Sequence, residues 1–496
     1  MGVSWRWWCV GLVAGVLFLA AAPAGAMAGQ PPNLERYLVD HMRVSGAPGL
    51  SYALIHGGDV VSSGAWGYDG YGRPMTPRTP VGFGSVAKPV TATAVLRMVD
   101  AGTIGLDDPV VRHLPWFRLA DQNHAIRITV RHLLEQTSGI SSRDGFVRSD
   151  LDDNAPGAIS RWVTSLADVA PTAAPGERHQ YSPANATILA AMTEEVTGLS
   201  FSEVIRREVF TPLDMADGIA DARDAERMPP GHEYYFGSVR AADRTFDTSG
   251  LAYGYLAGSV TDLAHLAIPL LDNGRYRDTQ FLTPGTIAAL QHSGPKATCG
   301  HYPLGWRHCT LATVNTPIVW HAGAVTGYHT ALITAPETGW AIAVQQNVYS
   351  PLHDPALNAA AFGALTIALG GTPAPIPGNT TEPIALVALG VLALVLAGAL
   401  AWSSYRLLAR RPHTWRTWLA TAGWSGLGSL SAVVAGLLLP GIFDLELRHV
   451  VRFMPDIGHL AIAIIVLGLA LTVTRLAILL LHLRQRRPHR PTRLQN

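Results

Sequence analysis

The chain has 496 residues, 48% of them hydrophobic and only 15% charged, which is longer than one ordinary domain and leans towards a protein partly embedded in a membrane. Its 37 basic and 36 acidic side chains leave a formal net charge of +1, and a balance of that kind excludes a nucleic-acid partner on electrostatic grounds. Lys88 and Lys296 are the only lysines, so arginine is the default cation. An ammonium, unlike a guanidinium, can be tuned to lose its proton, and a retained lysine therefore invites a chemical explanation.

Residues 1–28 read as a secretory signal: Arg6 precedes an apolar run from Val10 to Ala22, followed by small residues around Ala24, Ala26 and Ala28. An uncleaved anchor is the alternative. Residues 29–371 form a soluble part long enough for a substantial core. Within it, Leu50 to Ile55 and Asp59 to Gly64 are strand-like runs around His56-Gly57-Gly58, the composition of a hairpin turn. Ser85-Val86-Ala87-Lys88-Pro89 then opens a helical pattern through Val95, Leu96 and Val99 that stops at Ala101-Gly102.

Proline is tolerated in the first turn of a helix, whose N–H groups lack partners anyway, so Pro89 pins the helix start close to Ser85. There the free N–H groups and the helix dipole favour a serine alkoxide, and a lysine three residues on shares the same face. The positive end also helps to keep that amine neutral, as a base must be. Ser293 and Lys296 have the same spacing, but Gly294-Pro295 between them forbids a shared helical face.

Cys9 falls in the leader, while Cys299 and Cys309 flank a short loop and could form one bridge or remain two free thiols. His301, His308 and His329 lack metal-ligand spacing and read as loop and rim residues, so no metal is expected. Residues 372–383, rich in Pro, Thr and Gly, read as a linker.

Ile384 to Trp402, Trp418 to Phe443 and Ile457 to Thr474 are each apolar and long enough to cross a hydrocarbon core of about 30 Å as helices. They define a three-helix transmembrane region, 384–484, followed by a basic tail, 485–496. The first connecting loop carries Arg406, Arg410, Arg411 and Arg416, and the tail region carries Arg484, Arg486, Arg487, Arg490 and Arg493. The second loop mixes Asp444, Glu446, Arg448, Arg452 and Asp456. The arginine-rich segments belong in the cytoplasm by the positive-inside rule, which leaves the soluble part outside, where the leader would send it. The expectation is a multi-pass cell-membrane protein in contact with membrane lipid. Arg475 is expected to snorkel to the interface, and Gly423, Gly426 and Gly428 to allow close helix packing.

From about Pro48 to Thr366 the chain resembles the family of class C β-lactamases, serine D,D-peptidases and related esterases, a peptidase S12-like group of serine hydrolases. Ser85-Val86-Ala87-Lys88 matches its Ser-x-x-Lys motif. Ile128 to Leu134 with Thr137-Ser138-Gly139, Pro175-Gly176 leading to Tyr181-Ser182, Ala257-Gly258-Ser259 with Thr261-Asp262, and Leu304-Gly305-Trp306 read like the same family. The resemblance implies an α/β fold: an antiparallel sheet built from both ends of the soluble part, flanked by helices, with a helical insert from about Val110 to Arg240. It also implies that Tyr181 shares proton transfer with Lys88, and that no cofactor takes part.

The third motif is His321-Ala322-Gly323, placed on an edge strand from Ile318 to His321, where penicillin-recognising relatives carry Lys-Thr-Gly. The resemblance implies that His321 orients Tyr181 or meets a substrate carboxylate. Gly323 would permit close backbone approach, so that the N–H groups of Ser85 and Ala324 form the oxyanion hole. The family often has an asparagine two residues after the tyrosine, where this chain has Pro183; Ser182 or Asn185 would have to substitute in binding substrate. That change and the absent lysine argue against efficient β-lactam hydrolysis.

The expected reaction is acyl transfer to water on a small-molecule or peptide substrate. The order of signal, hydrolase and three spans resembles membrane-bound peptidases of the colibactin-activating type, which remove an N-acyl-D-amino-acid prodrug group during export, and implies an exporter as a partner. Cell-wall carboxypeptidase and esterase activities are rivals, although Gly82 offers no polar side chain just ahead of Ser85. A non-hydrolytic penicillin-recognising sensor and a transport component with a degenerate hydrolase domain are the alternatives from other classes.

Overall fold

The computed structural model describes residues 34–243, 246–292, 294–409, 415–442 and 445–485. The secretory-signal expectation, Ser293, Asp444 and the arginines at 410, 411, 486, 487, 490 and 493 lie outside the described residues.

Two segments far apart in sequence build one antiparallel sheet. Strands β1 (Gly49–His56) and β2 (Asp59–Gly67) come from one end of the soluble part. Strands β3 (Arg307–Leu311), β4 (Thr316–Val325), β5 (Tyr328–Ala335) and β6 (Trp340–Gln346) come from the other. Their order across the sheet is β2-β1-β6-β5-β4-β3. The expected hairpin closes at Gly57 and Gly58, both at positive φ, with His56 opposite Asp59.

The principal helices are α1 (Leu34–Ser45), α2 (Ala87–Asp100), α3 (Pro183–Thr197), α4 (Val260–Leu271), α5 (Asp354–Ala368), α6 (Thr381–Leu408), α7 (Trp415–Val433), α8 (Leu447–Phe453) and α9 (Pro455–Gln485). Side chains alternate across a strand, and both faces of this sheet are covered. Tyr52, Ile333, Ile342 and Val344 pack with residues of α1 and α5. Ala53, Ile55, Leu332, Ala341 and Ala343 join the larger core with α2 and α4. Every residue of β5 is consequently buried, and its polar Thr330 and Thr334 donate to the backbone carbonyls of Gly82 and Val319.

Between α2 and α4 lies the insert, which carries several short helices and α3. Its final stretch is not helical: His232–Tyr235 and Ser238–Ala241 form a hairpin beside Val348–Tyr349. Cys299 and Cys309 are joined as a disulfide. Residues 371–380 have no regular structure, and α6 begins inside the expected linker, at Thr381.

Among the described residues, Thr381–Leu408, Trp418–Ile442 and Pro455–Leu481 are long and apolar enough to cross a membrane. The expected spans fall on these helices; the first and third run further at both ends, and Phe443, the expected end of the second, lies outside the described residues. A Cβ on Gly428 would collide with the carbonyl of Gly468, so two helices cross closely there, whereas Gly423 and Gly426 face open space. Arg475 does not snorkel as expected: it is 3% exposed, turned into the three-helix bundle.

Candidate active site

Ser85 sits in a single tight turn, Gly84–Val86, that runs directly into α2. Gly84 has φ +52°, and a Cβ there would collide with the amide nitrogen of Ala324. From the other side, a Cβ on Gly323 would collide with the carbonyl of Phe83 and the nitrogen of Ser85. With side chains excluded from both positions, the backbone of β4 packs straight onto the turn. Ser85 and Ala324 thereby line one cavity of about 500 Å³.

Lys88, one helical turn on, is 4% exposed. Its Nζ lies 3.0 Å from Ser85 Oγ and donates to the carbonyl of Tyr253 at 2.8 Å. Burial pushes the amine below its ordinary value; Tyr181 opposes the shift and the Arg307 guanidinium reinforces it. An amine so placed is available as a base near the hydroxyl it would deprotonate.

Tyr181 stands in the extended residues before α3, with its ring centroid 4.8 Å from Lys88 Nζ. Gln136, held at φ +58°, fixes it from both sides. Its carbonyl accepts from Gln180 N at 2.7 Å, and its side-chain oxygen accepts from Ser182 N at 2.8 Å and Asn185 Nδ2 at 2.7 Å. Ser182 Oγ donates to the Ser141 carbonyl at 3.0 Å. Ser182 and Asn185 are therefore fully buried and bound to the protein, which corrects the expectation that they meet substrate. The start of α3 turns them inward, and Pro183 lines the cavity instead.

The strand bearing His321 is longer than expected and is not an edge strand. Its pairing with β3 nevertheless ends at Trp320 opposite Arg307, so residues 321–325 are unpaired on that side. His321 is 1% exposed and does not reach the cavity as a carboxylate ligand would. Its Nε2 accepts from the Tyr302 hydroxyl at 3.1 Å, and its ring lies 6.2 Å from that of Tyr181. Burial, then Arg307 and Lys88, hold the imidazole well below its ordinary value, so it is neutral.

Arg307, which the sequence reading missed, supplies a cation in this region. Its guanidinium carbon lies 5.3 Å from the Tyr181 ring centroid and 5.5 Å from that of Trp320, and it lines the cavity. The preceding Leu304-Gly305 turn abuts Ala92 of α2, which brings Arg307 to the site. Asp150 also lines the cavity and accepts a hydrogen bond from Tyr255. Among the described residues no group of three or more His, Cys, Asp or Glu could hold a metal. His329 is buried in β5 rather than at a rim, and burial pushes it down to about 3.

The Beta-lactamase family profile matches residues 34–365, well over half of the chain, and the chain belongs to that family, with the fold of a serine hydrolase. It is 30% identical over 312 residues to Penicillin-binding protein 4 of Amycolatopsis lactamdurans, a match covering 60% of this chain and 81% of that protein. It is 22% identical over 328 residues to Protein flp of Staphylococcus aureus strain N315, covering 64% of this chain and 63% of that one, just under two thirds of its length.

Among solved structures it is similar to the octameric penicillin-binding protein homologue from Pyrococcus abyssi. That match has a TM-score of 0.58 and 28% identity, and covers 68% of this chain and 77% of the other. D-amino acid amidase from Ochrobactrum anthropi SV3 also has a TM-score of 0.58, at 21% identity, with 68% and 99% covered, a likeness of fold alone.

Proposed function

We propose that this chain hydrolyses an acyl compound through an acyl-enzyme on Ser85. Lys88 takes the hydroxyl proton as Ser85 attacks the carbonyl, and Tyr181 with Lys88 delivers a proton to the leaving group. The amides of Ser85 and Ala324 hold the oxyanion, and water then releases the acyl group. The reading rests on one observation above others: a buried amine of depressed basicity 3.0 Å from a serine hydroxyl in a cavity.

The substrate we infer is an amide or peptide containing a D-amino acid, with an ester as the alternative. Arg307 and the carboxylates of Asp150 and Asp354 line the same cavity and give an amino-acid residue charged partners. D-amino acid amidase is among the proteins of this fold. We place the catalytic domain outside the cytoplasm and the C-terminus inside, a setting suited to removing a prodrug group from a product leaving through an exporter. Three apolar helices, the distribution of arginines and a disulfide support that placement.

The test is turnover by the full chain in lipid nanodiscs, screened on N-acyl-D-amino-acid amides, their L-enantiomers, D-Ala-D-Ala peptides and simple esters. The expected result is hydrolysis of a D-amide that Ser85→Ala and Lys88→Ala abolish and Tyr181→Phe slows. Turnover confined to esters assigns the esterase alternative, and turnover that survives Ser85→Ala overturns the mechanism.

A further inference from the structure

The cavity that holds Ser85 is not enclosed by the family domain alone. Two of its lining residues, Leu445 and Phe453, belong to the segment between the second and third apolar helices, far beyond the end of the family match at residue 365. Leu445 lies just past Ile442, where the second apolar helix ends, and Phe453 just before Pro455, where the third begins. Part of the cavity wall is therefore supplied by the segment that joins two candidate membrane spans.

A clasp of polar contacts fixes this segment on the catalytic domain. Arg448 donates to the carbonyls of Val147 at 2.7 Å and Ser149 at 2.9 Å. Arg452 donates to both carboxylate oxygens of Asp152, at 2.7 and 3.1 Å, to the Asp150 carbonyl at 3.1 Å and to Thr326 Oγ1 at 3.2 Å. Phe236 N donates to Asp456 at 3.0 Å. The clasp grips the 147–152 loop, whose Ser149 and Asp150 line the same cavity, and Thr326, which follows the oxyanion strand. A wall held to both sides of a cavity sets its shape.

The wall itself is apolar. Phe453 packs edge to face on Tyr349, ring centroids 6.1 Å apart, and with Leu445, Phe146 and Pro351 it lines the cavity with hydrocarbon and aromatic surface. Ser85, Lys88 and Arg307 also line the cavity, so one space offers polar chemistry and an apolar surface supplied next to two candidate spans. We propose that Leu445 and Phe453 determine specificity for an amphiphilic substrate, packing against its apolar acyl portion while its carbonyl reaches Ser85. Arg448 and Arg452 are the positioning residues that hold this wall. The inference rests on the hydrolase reading above and names the substrate class for that site.

The experiment compares two amides of one D-amino acid, N-acetyl and N-decanoyl, with the full chain in nanodiscs of fixed lipid composition. Wild type prefers the decanoyl amide. In Phe453→Ala, and more strongly in the Leu445→Ala/Phe453→Ala double variant, that preference, read as a ratio of kcat/KM values, falls about tenfold, mostly through KM, as expected on removing apolar pocket surface. Phe453→Leu restores part of it, and Arg452→Gln lowers it in the same direction. A ratio that stays at the wild-type value overturns the proposal, whether or not the overall rate falls, because a merely structural wall affects both amides equally. Failure of the hydrolase reading looks different: wild type then turns over neither amide, or Ser85→Ala turns over both.

Discussion

The Tyr302 hydroxyl donates to Nε2 of His321 across 3.1 Å, while Nδ1 of the same ring lies 2.7 Å from the Ala322 carbonyl. Those two contacts assign the proton to Nδ1 and make His321 a neutral, internally satisfied side chain beside Tyr181. Tyr302→Phe should leave a buried nitrogen unpaired and cost about 1–3 kcal/mol of stability, measured by chemical denaturation. Because His321 meets no substrate carboxylate, His321→Gln should lower kcat/KM by the same factor for substrates with and without a free carboxylate; a selective loss for the acidic substrate contradicts this placement.

Arg307 helps to hold the Lys88 amine below the 10.5 of an ordinary lysine. Removing that positive charge makes protonation of the amine easier, so in Arg307→Gln the acid limb of the kcat/KM profile should move to higher pH. Part of the rate lost at neutral pH should return on the alkaline side, whereas the loss of Arg307 as a partner to substrate persists at every pH. A limb that stays in place or moves downwards shows that Lys88 is not the group being titrated.

Gly323 has no space for a side chain between β4 and the Ser85 turn. Gly323→Ala should push the Ser85 and Ala324 amides apart and lower kcat by about 10²–10³, the usual cost of an oxyanion-hole donor, with a lowered melting temperature as a second readout. Near-normal kcat in a folded Gly323→Ala protein places the oxyanion site elsewhere.

Gln136 carries the backbone on both sides of Tyr181. Gln136→Ala strands the Ser182 N–H and the Asn185 amide, a loss of about 1–3 kcal/mol for each buried group, and should lower kcat more than it raises KM. Asn185→Ala should cost stability while KM holds. A raised KM in Asn185→Ala, with stability intact, restores the direct substrate contact that the structure moves away from the cavity.

What the sequence made legible was local. Pro89 and the spacing of Ser85 and Lys88 fall within one helical turn, and the Gly57-Gly58 hairpin and the three apolar helices are likewise written in contiguous residues. Tyr253 was illegible because its carbonyl reaches Lys88 across a sequence separation of 165 residues. Arg307 enters the site only through the register that pairs it with Trp320, and its strand was hidden beside the cysteine loop. Ser182 and Asn185 lay next to a true motif residue, but nearness in sequence does not say which way a helix start turns its side chains; Gln136, in the neighbouring stretch before Thr137, decides that. The contacts of Arg448 and Arg452 with residues some 300 positions earlier could not be read from either segment alone.

The most direct test of the central claim is the pH dependence of Ser85 acylation, followed by intact-protein mass spectrometry with a fluorophosphonate and by mapping the labelled peptide. The account predicts a single adduct on Ser85, whose rate rises with one deprotonation centred below 10.5, and a loss of about 10²–10⁴ in that rate in Lys88→Ala. Labelling of Lys88→Ala at the wild-type rate, or an adduct on another residue, contradicts it.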